Sequence, residues 1–266
     1  MSQDISEDEV SSAWDSNASQ WTADVRAGFD LYRELYTFPE FLKFIPDIAG
    51  CDVLDLGCGE GTNTRKFFEL GARVTGIDIS QSMLDEAILE EQKDPRDIQY
   101  YRTSFTDLSR FSDNSFDHAL STMALMDGPD FDLAMKEAFR VLKPGGHLVF
   151  SVLHPCFMTS GFKWILSDDG MHEGLCVSRY FEEGGYTEEW KFSKRPGEDD
   201  VPLFRIPRFP KKLSDYINSV IGAGFKLSSL AEPRPDKALS EKHEWLKRWY
   251  DHAPLVLFVS AVKDIK

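Results

Sequence analysis

Apolar residues along residues 50–153 alternate between two periods. Short apolar runs, typical of buried strands, are separated by stretches in which apolar residues recur every three or four positions, as in amphipathic helices. The predicted strands are Asp52–Leu56, Arg73–Ile77, Gln99–Arg102, Phe116–Ser121 and His147–Leu153. The predicted helices are Thr62–Leu70, Gln81–Glu91 and Asp130–Leu142. This alternation is typical of right-handed βαβ units, so we predict an α/β fold with a doubly wound, mostly parallel sheet.

The regions on either side follow other patterns. Residues 11–36 place apolar side chains at helical spacing, and Ser12 with Asp15 matches a capping box at the start. Towards the C-terminus, a helical pattern covers Lys211–Ile221. Two more strands are predicted at Phe225–Leu230 and Leu255–Val262.

Residues 154–209 interrupt the alternation and are rich in aromatic side chains. Turn signals occur at Asp169-Gly170, Gly184-Gly185 and Pro196-Gly197. We predict a hairpin of Val177–Phe181 with Tyr186–Phe192 across the middle turn. A single domain, 1–266, therefore divides into an N-terminal helical lid (1–45), a core (50–153), an inserted aromatic cap (154–209) and a C-terminal helix with the last strands (210–266).

Composition narrows the function classes. The 266 residues carry a formal net charge of −15, which disfavours nucleic-acid phosphates and anionic membrane surfaces because both are bound through Lys and Arg. The acidic start MSQDISEDEV does not resemble a targeting signal, and no apolar run is long enough to span a bilayer. The four cysteines form no C-x-x-C pair or metal-ligand spacing, so we expect reduced thiols, no metal and a cytoplasmic location. The oligomeric state stays open.

Residues 53–61, VLDLGCGEG, place three glycines between a predicted strand and a predicted helix, as nucleotide-binding loops do. Gly61 comes one residue earlier than the third glycine of a dinucleotide loop, and the Glu60 carboxylate would repel a pyrophosphate. A ligand with a charged, methionine-like end is more compatible with this loop. Asp78, at the end of the next strand, is placed to accept hydrogen bonds from ribose hydroxyls.

The stretch VLDLGCGEGTNTRKFFELGARVTGIDIS resembles the first two motifs of the class I S-adenosylmethionine-dependent methyltransferases. SFTDLSRFSDNSFDHALS and EAFRVLKPGGHLVFSV resemble the motifs that follow, in register over residues 50–153. AWDSNASQW and a distal helix followed by GAGF resemble bacterial small-molecule methyltransferases near the quinone-ring methylating group. The resemblance implies a Rossmann-like sheet of seven strands with the last antiparallel, S-adenosyl-L-methionine as cofactor and S-adenosyl-L-homocysteine as product.

The resemblance also assigns cofactor-binding roles to individual positions. Residues expected at the methionine part and the methyl group are Asp55, Gly57, Cys58, Gly59, Gly61, Ser121 and Met123. Residues expected along the ribose and the adenine are Asp78, Ile79, Met83, Ser104 and Phe105. The family often has an acidic residue where this chain has Ser104, so the adenine contact departs from the pattern. Trp21 and Arg33 are expected to close over the cofactor, with simple packing of their helix as the alternative.

Methyl transfer from a sulfonium is an in-line displacement with a neutral leaving group, so the protein mainly aligns the acceptor and excludes water. The acceptor is expected outside the carboxyl ends of the strands, where His154 and Asp127 are the candidate catalytic bases. Capping of the strand end by His154, and a loop role for Asp127, are the alternatives. STMALMD lacks the Asn/Asp-Pro-Pro-aromatic motif of DNA adenine and protein glutamine methyltransferases.

Three features bear on the acceptor. Cys156 lies where RNA cytosine methyltransferases carry a nucleophile, but their second cysteine is absent. The aromatic cap favours a planar or apolar acceptor, with core packing as the alternative. The basic residues Arg205, Arg208, Lys211 and Lys212 either grip an acidic substrate or begin a solvated helix.

We therefore expect an S-adenosylmethionine-dependent methyltransferase acting on a small-molecule, planar or aromatic acceptor. An RNA methyltransferase and a non-catalytic cofactor-binding protein are the alternatives. Oxygen, nitrogen and carbon all stay open as the methylated atom.

Overall fold

The computed structural model describes residues 4–192 and 202–264. The α-helices in that part of the chain are α1 (Glu7–Arg26), α2 (Phe38–Phe44), α3 (Thr62–Glu69), α4 (Gln81–Lys93), α5 (Phe131–Val141), α6 (Leu213–Gly222), α7 (Lys237–Lys242) and α8 (Glu244–Asp251). The strands are β1 (Asp52–Leu56), β2 (Arg73–Asp78), β3 (Gln99–Arg102), β4 (Phe116–Thr122), β5 (Leu142–Leu153), β6 (Lys163–Leu166), β7 (His172–Cys176), β8 (Tyr186–Trp190), β9 (Phe204–Arg208), β10 (Lys226–Ala231) and β11 (Val256–Val262). A π-helical turn at Arg33–Thr37 leads into α2.

One sheet of seven strands has the order β10-β11-β5-β4-β1-β2-β3. β1 pairs in parallel with β2 and β4, whereas β11 runs antiparallel to both β5 and β10. The predicted doubly wound sheet with an antiparallel last strand is confirmed. Between β1 and β4 the direction of winding reverses, and at such a point a crevice opens outside the carboxyl ends of the strands.

Apolar side chains cover both faces of this sheet. Leu54 and Leu56 of β1 face a cluster that includes α5 and α6, whereas Val53 faces a second cluster that includes α2, α3 and α8. All three side chains are fully buried. Because successive side chains of a strand point to opposite faces, two covered faces require apolar side chains at neighbouring positions, as Val53 and Leu54 of β1 provide.

The first helix begins earlier than the predicted range 11–36. Ser6, and not Ser12, is its N-cap, because the Glu9 N–H donates to the Ser6 hydroxyl while the Glu9 carboxylate accepts from the Ser6 N–H at 2.8 Å. Glu7 is therefore the first residue of α1, and the predicted capping box at Ser12 is wrong.

The first helix also ends earlier than predicted. α1 stops at Arg26, and Gly28 follows with a φ of +78°, a conformation that a continuous helix cannot contain. Asp15, free of a capping role, accepts hydrogen bonds from the Ser80 hydroxyl (2.6 Å) and the Ser82 N–H (2.9 Å). These bonds attach α1 to the start of α4.

Two antiparallel strand pairs form the described part of the cap. β6 pairs with β7 around the predicted turn at Asp169-Gly170, and β8 pairs with β9. The predicted pairing of Val177–Phe181 with Tyr186–Phe192 is wrong, because Phe204–Arg208 is the partner of β8 and packs against α1. The predicted turn at Pro196-Gly197 lies outside the described residues. The sequence patterns also do not predict α2, α7 or α8.

Candidate functional site

A cavity of about 530 Å³ lies outside the carboxyl ends of β1, β2 and β4. The loops after these strands form its floor, and α1, the π-helical turn, β8 and β9 form what we call the roof. Much of the lining is apolar, and the charged residues that interrupt it include Asp78, Asp127 and Arg208. A cleft at this point of the sheet that combines apolar surface with charged groups is typical of a small-molecule site.

The glycine loop turns its backbone toward the cavity. Gly57, Cys58 and Gly59 line the space, and both glycines are left-handed, with φ of +76° and +56°. A Cβ on Gly57 would lie 2.3 Å from the Ala124 Cβ, whereas a Cβ on Gly59 would meet no atom within 4 Å. The missing side chain at Gly59 therefore leaves open space in which a ligand can approach the peptide groups.

Asp78 ends β2 and lines the cavity next to this loop. Its carboxylate oxygens accept hydrogen bonds from the N–H groups of Gly59 (2.9 Å) and Ser80 (2.9 Å). Each oxygen has a further lone pair available for a ligand hydroxyl. Burial raises the pKa of Asp78 to about 6, so the group is still mostly a carboxylate, an acceptor, at neutral pH.

Three residues expected at the cofactor lie behind the cavity wall. Asp55 is fully buried and accepts a hydrogen bond from the Thr64 hydroxyl at 2.7 Å, and burial raises its pKa to about 7. Gly61 packs against Tyr100, and the Ser121 hydroxyl donates to a backbone carbonyl of β1 at 2.8 Å. Asp55, Gly61 and Ser121 thus support the loop and the strand ends from beneath and do not line the cavity.

The part of the cavity wall that follows β2 and β3 brings together two segments that are distant along the chain. The predicted residues that line it are Ile79, Met83, Ser104 and Phe105. Glu7, which also lines it, accepts hydrogen bonds from the hydroxyls of Ser104 (2.9 Å) and Thr106 (2.6 Å). Sequence reasoning missed Glu7, because the only signal is the acidic first turn of a helix whose predicted start is misplaced.

Aromatic rings dominate the roof. Trp21 lines the cavity and contacts Trp14, Trp190 and Phe192, with ring centroids 5.2, 5.6 and 5.2 Å apart. The indole N–H of Trp190, another lining residue, has no hydrogen-bond partner among the described residues. The roof therefore presents flat apolar surfaces with an unused donor.

The π-helical turn adds a cation to the cavity wall. Arg33 lines the space, and its guanidinium lies 3.7 Å from the Glu60 carboxylate of the glycine loop. Glu60 also accepts from the Thr62 N–H at 2.8 Å, so it holds the start of α3 as well as Arg33. Tyr32, one residue earlier, accepts a hydrogen bond from Arg248 at 2.6 Å and so connects this turn to α8.

A buried ion pair lies in the cavity wall beyond β4. Met123, with a φ of +59°, and Asp127 line the cavity after β4. The Arg208 guanidinium, at the end of β9, donates to Asp127 and to Glu188, the latter at 2.8 Å. Burial raises the pKa of Asp127 to about 6 although Arg208 opposes the shift. The pair connects the cap to the core at the edge of the cavity.

The structure does not bring His154 to the cavity. Its side chain is 1% exposed, its Nδ1 accepts from the Cys156 N–H at 3.2 Å, and its Nε2 lies 2.8 Å from a Glu232 oxygen. This arrangement places the ring proton on Nε2, which donates to Glu232. Burial lowers the pKa of His154. The geometry thus corresponds to a histidine that secures the strand end, and Cys156 does not line the cavity either.

The basic cluster of the sequence is divided by the fold. Arg205 is paired on the surface with Glu189 at 3.3 Å, and Lys212 with Asp215 at 3.6 Å. Arg208 enters the cavity wall, and Lys211 lies beside it. Sequence proximity therefore does not produce a single basic patch.

Two further findings concern the described residues as a whole. No group of three or more His, Cys, Asp or Glu side chains among residues 4–192 and 202–264 is arranged to hold a metal ion. None of the helices in this part of the chain has the length and apolar character needed to cross a membrane.

Comparisons with known proteins identify the kind of enzyme. The family model described as a methyltransferase domain matches residues 54–150, which include the glycine loop, Asp78 and the strands that carry the cavity. An S-adenosylmethionine-dependent methyltransferase from Mesorhizobium loti superposes with a TM-score of 0.69 at 28% identity, covering 85% of this chain and 96% of that one. The protein is an S-adenosylmethionine-dependent methyltransferase, and its residues 54–150 match a methyltransferase domain. The predicted fold, enzyme class and cofactor are thereby confirmed.

Sequence similarity to known proteins covers different shares of this methyltransferase. A ubiquinone biosynthesis O-methyltransferase of Nitrosococcus oceani is 32% identical over 116 residues, 43% of this chain and 49% of that protein. The methyltransferase thus spans about half the length of that relative. A Haemophilus influenzae protein named only as uncharacterized is 27% identical over 238 residues, 86% of this chain and 88% of that protein. A match of this length includes the core and at least part of the cap.

The cavity of the methyltransferase fits its cofactor on structural grounds. The open space at Gly59, the spare acceptor positions of Asp78 and the cation of Arg33 offer places for a nucleoside with an amino-acid end. Asn63, another lining residue, donates to Thr122 at 2.9 Å, but its side-chain oxygen has no partner among the described residues. Unpaired polar atoms of buried side chains are rare and point to a ligand.

Proposed function

We propose that this methyltransferase transfers a methyl group to a small, planar or aromatic acceptor. The observation that carries the proposal is the aromatic roof, where Trp21, Trp190 and Phe192 close the cavity. Flat apolar molecules pack favourably on aromatic rings. The relatives named as ubiquinone biosynthesis O-methyltransferases also support a small-molecule acceptor.

In this proposal the core holds the donor. Asp78 would accept hydrogen bonds from the ribose hydroxyls, and Arg33 with the loop backbone would hold the methionine end. Ile79, Met83 and Phe105 would enclose the adenine, with Ser104 and Glu7 at its polar edge, so that Glu7 supplies the acid missing from the end of β3. When bound, the cofactor supplies an electrophilic methyl group on a sulfonium.

The protein's own contribution is alignment, exclusion of water and, where the acceptor must lose a proton, a base. Asp127 is our candidate base, because it lines the cavity and Arg208 favours its carboxylate form. His154 is no longer a candidate base in this proposal, because its ring is sealed off from the cavity and donates to Glu232. The position of Cys156 outside the lining gives no support to the RNA alternative.

Two measurements test this function. Calorimetry of the folded protein should show binding of S-adenosylmethionine and S-adenosylhomocysteine, and absence of both would contradict the donor assignment. Incubation with methyl-labelled cofactor and fractionated cell extract should then place the label in small molecules. Label in RNA or protein would refute the proposed acceptor class, and tight cofactor binding without labelling of any fraction would favour the non-catalytic alternative.

A further inference from the structure

A side pocket of about 50 Å³ opens beside the acceptor side of the cavity. Met126, Leu153, Met158 and Arg208 line both spaces, so the pocket adjoins the cavity. A small group of a molecule in the cavity would enter the side pocket past these shared residues. What that group can be follows from the polar atoms of its wall.

Hydroxyl donors are in excess on this wall. Tyr180 lines the side pocket and accepts a hydrogen bond from the Leu213 N–H at 3.1 Å, so its own proton is free to be donated. The hydroxyls of Tyr186 and Tyr216, which also line it, form no hydrogen bond with any described residue. Burial raises the pKa of Tyr186 to about 12 and raises that of Tyr216 as well, so both stay protonated donors at neutral pH.

Lys211 adds a positive charge that has no salt-bridge partner among the described residues. Its ammonium group forms no ion pair with a described residue, and its polar contact is the Gly128 carbonyl oxygen at 3.5 Å. Burial lowers the pKa of Lys211 to about 8, while the carboxylates of Asp130, Asp132 and Asp215 oppose this shift from a distance. The side chain is therefore still mostly protonated at neutral pH.

The other charged groups of the wall add no free cation. Arg208 is paired with both Asp127 and Glu188, whose two negative charges exceed its single positive charge. Arg179 lines the pocket but is exposed, so solvent screens its charge. The buried wall thus offers several donors and one unpaired cation, which suits a monoanion that only accepts hydrogen bonds.

The size of the side pocket selects among monoanions. A volume of about 50 Å³ holds roughly three or four water-sized groups. A carboxylate has three heavy atoms, whereas a phosphate monoester has more and carries nearly two charges. We propose that the side pocket binds a carboxylate group of the acceptor, so that the acceptor is a planar or aromatic carboxylic acid; this rests on the proposed small-molecule function.

The test uses the full-length protein saturated with S-adenosylhomocysteine, and calorimetric titration with benzoate, benzamide and phenyl phosphate. Benzoate should bind at least roughly tenfold more tightly than its neutral isostere benzamide, because only the anion gains a charge-assisted bond. Lys211→Met should remove this preference, and Tyr180→Phe should reduce it. Lys212→Met is the matched control, because that lysine is paired with Asp215 and does not line the pocket, and it should keep the preference.

Several results would overturn the carboxylate assignment. One is equal binding of benzoate and benzamide, or binding of neither; another is a benzoate preference that persists in Lys211→Met. Tighter binding of phenyl phosphate than of benzoate would show that the side pocket prefers a phosphate to a carboxylate. Binding of S-adenosylhomocysteine is measured first, so failure of the donor function is distinguished from failure of the carboxylate site. Unchanged affinity for S-adenosylhomocysteine in Lys211→Met shows that the variant is folded.

Discussion

The sheet core and the roof of the cavity are held by different interactions. In the core, side chains such as Phe150 are fully buried among apolar neighbours on the covered faces of the sheet. The roof has one small apolar cluster around Trp21 and Phe204, and polar contacts attach it to the core. Two of these contacts are the Asp15 hydrogen bond to Ser80 and the Arg208 ion pair with Asp127.

This difference implies that the core determines the stability of the fold, whereas the roof determines which acceptor is bound. The core carries the wall to which we assign the donor, and its continuous burial makes it the cooperative unit of the fold. The roof carries most of the wall to which we assign the acceptor, together with Glu7 and Arg33 on the donor side, and it is attached to the core mainly by polar contacts. Substitutions in the roof should therefore alter the acceptor side without unfolding the protein, whereas substitutions in the core should unfold it.

The largest expected effect is in the core. Phe150→Ala should lower the free energy of unfolding by about 3–5 kcal/mol, because it removes a fully buried ring and leaves a cavity. The control Phe181→Ala, in the cap, should change it by no more than about 0.5 kcal/mol, because that ring is 80% exposed. Urea denaturation followed by circular dichroism measures both. Equal losses would refute the contrast between a buried core and an open cap.

The free energy of unfolding should depend on pH because of Asp55, which lies behind the wall to which we assign the donor. Burial raises the pKa of Asp55 from 3.8 to about 7, so between these values the folded state holds a proton that the unfolded state has lost. Stability is therefore fully present below about pH 4 and falls as the pH rises to about 7, by on the order of a few kcal/mol.

Asp55→Asn should flatten this pH dependence and raise stability at pH 8, because the amide can still accept the Thr64 hydrogen bond. Asp78 and Asp127, whose pKa values are raised to about 6, should leave a smaller residual dependence. Urea unfolding at pH 5 and pH 8 provides the comparison, with the exposed Asp168→Asn as control. If the loss of stability between pH 5 and pH 8 is the same in Asp55→Asn, the Asp55 carboxyl is not the cause of the pH dependence.

The next effect concerns ligand affinity and not stability. Asp78→Asn should weaken S-adenosylhomocysteine binding by about 10- to 100-fold, because charged hydrogen bonds contribute about 1.5–3 kcal/mol. The exposed carboxylate of Asp85, on α4, offers the control Asp85→Asn, which should bind normally. Calorimetry at one pH and salt concentration measures both variants. Normal affinity of Asp78→Asn would remove the ribose role.

The smallest effect should be confined to the roof. Asn17 of α1 donates to the Arg205 carbonyl at 3.0 Å and accepts from the Arg205 N–H at 3.3 Å. Asn17→Ala should destabilise this attachment by about 1–2 kcal/mol and speed amide exchange over residues 204–208 by about 5- to 30-fold. Exchange over residues 147–153 should not change, nor should either region in the exposed control Asn218→Ala. Faster exchange in both regions would mean that roof and core open together.

The sequence by itself determined the core and the identity of the donor. The period of apolar residues marks each strand, because a strand with two covered faces must be apolar at successive positions. The predicted bounds of β1 and β3 match the structure, and those of β2 differ only by including Asp78. The glycine loop and Asp78 were also recognisable, because a turn, a helix start and a strand end are local features of the chain.

Only the tertiary structure decided which distant segments meet and which side chains face the cavity. Glu7 contacts Ser104, 97 positions away in the sequence, and Asp127 contacts Arg208, 81 positions away. β8 pairs with β9 and not with Val177–Phe181, the segment that precedes it in the sequence. His154 follows β5 as predicted, yet its ring is turned toward Glu232, 78 positions away. Such contacts depend on which surfaces pack together after the sheet has formed, and neither the period nor the spacing of residues along the chain encodes that choice.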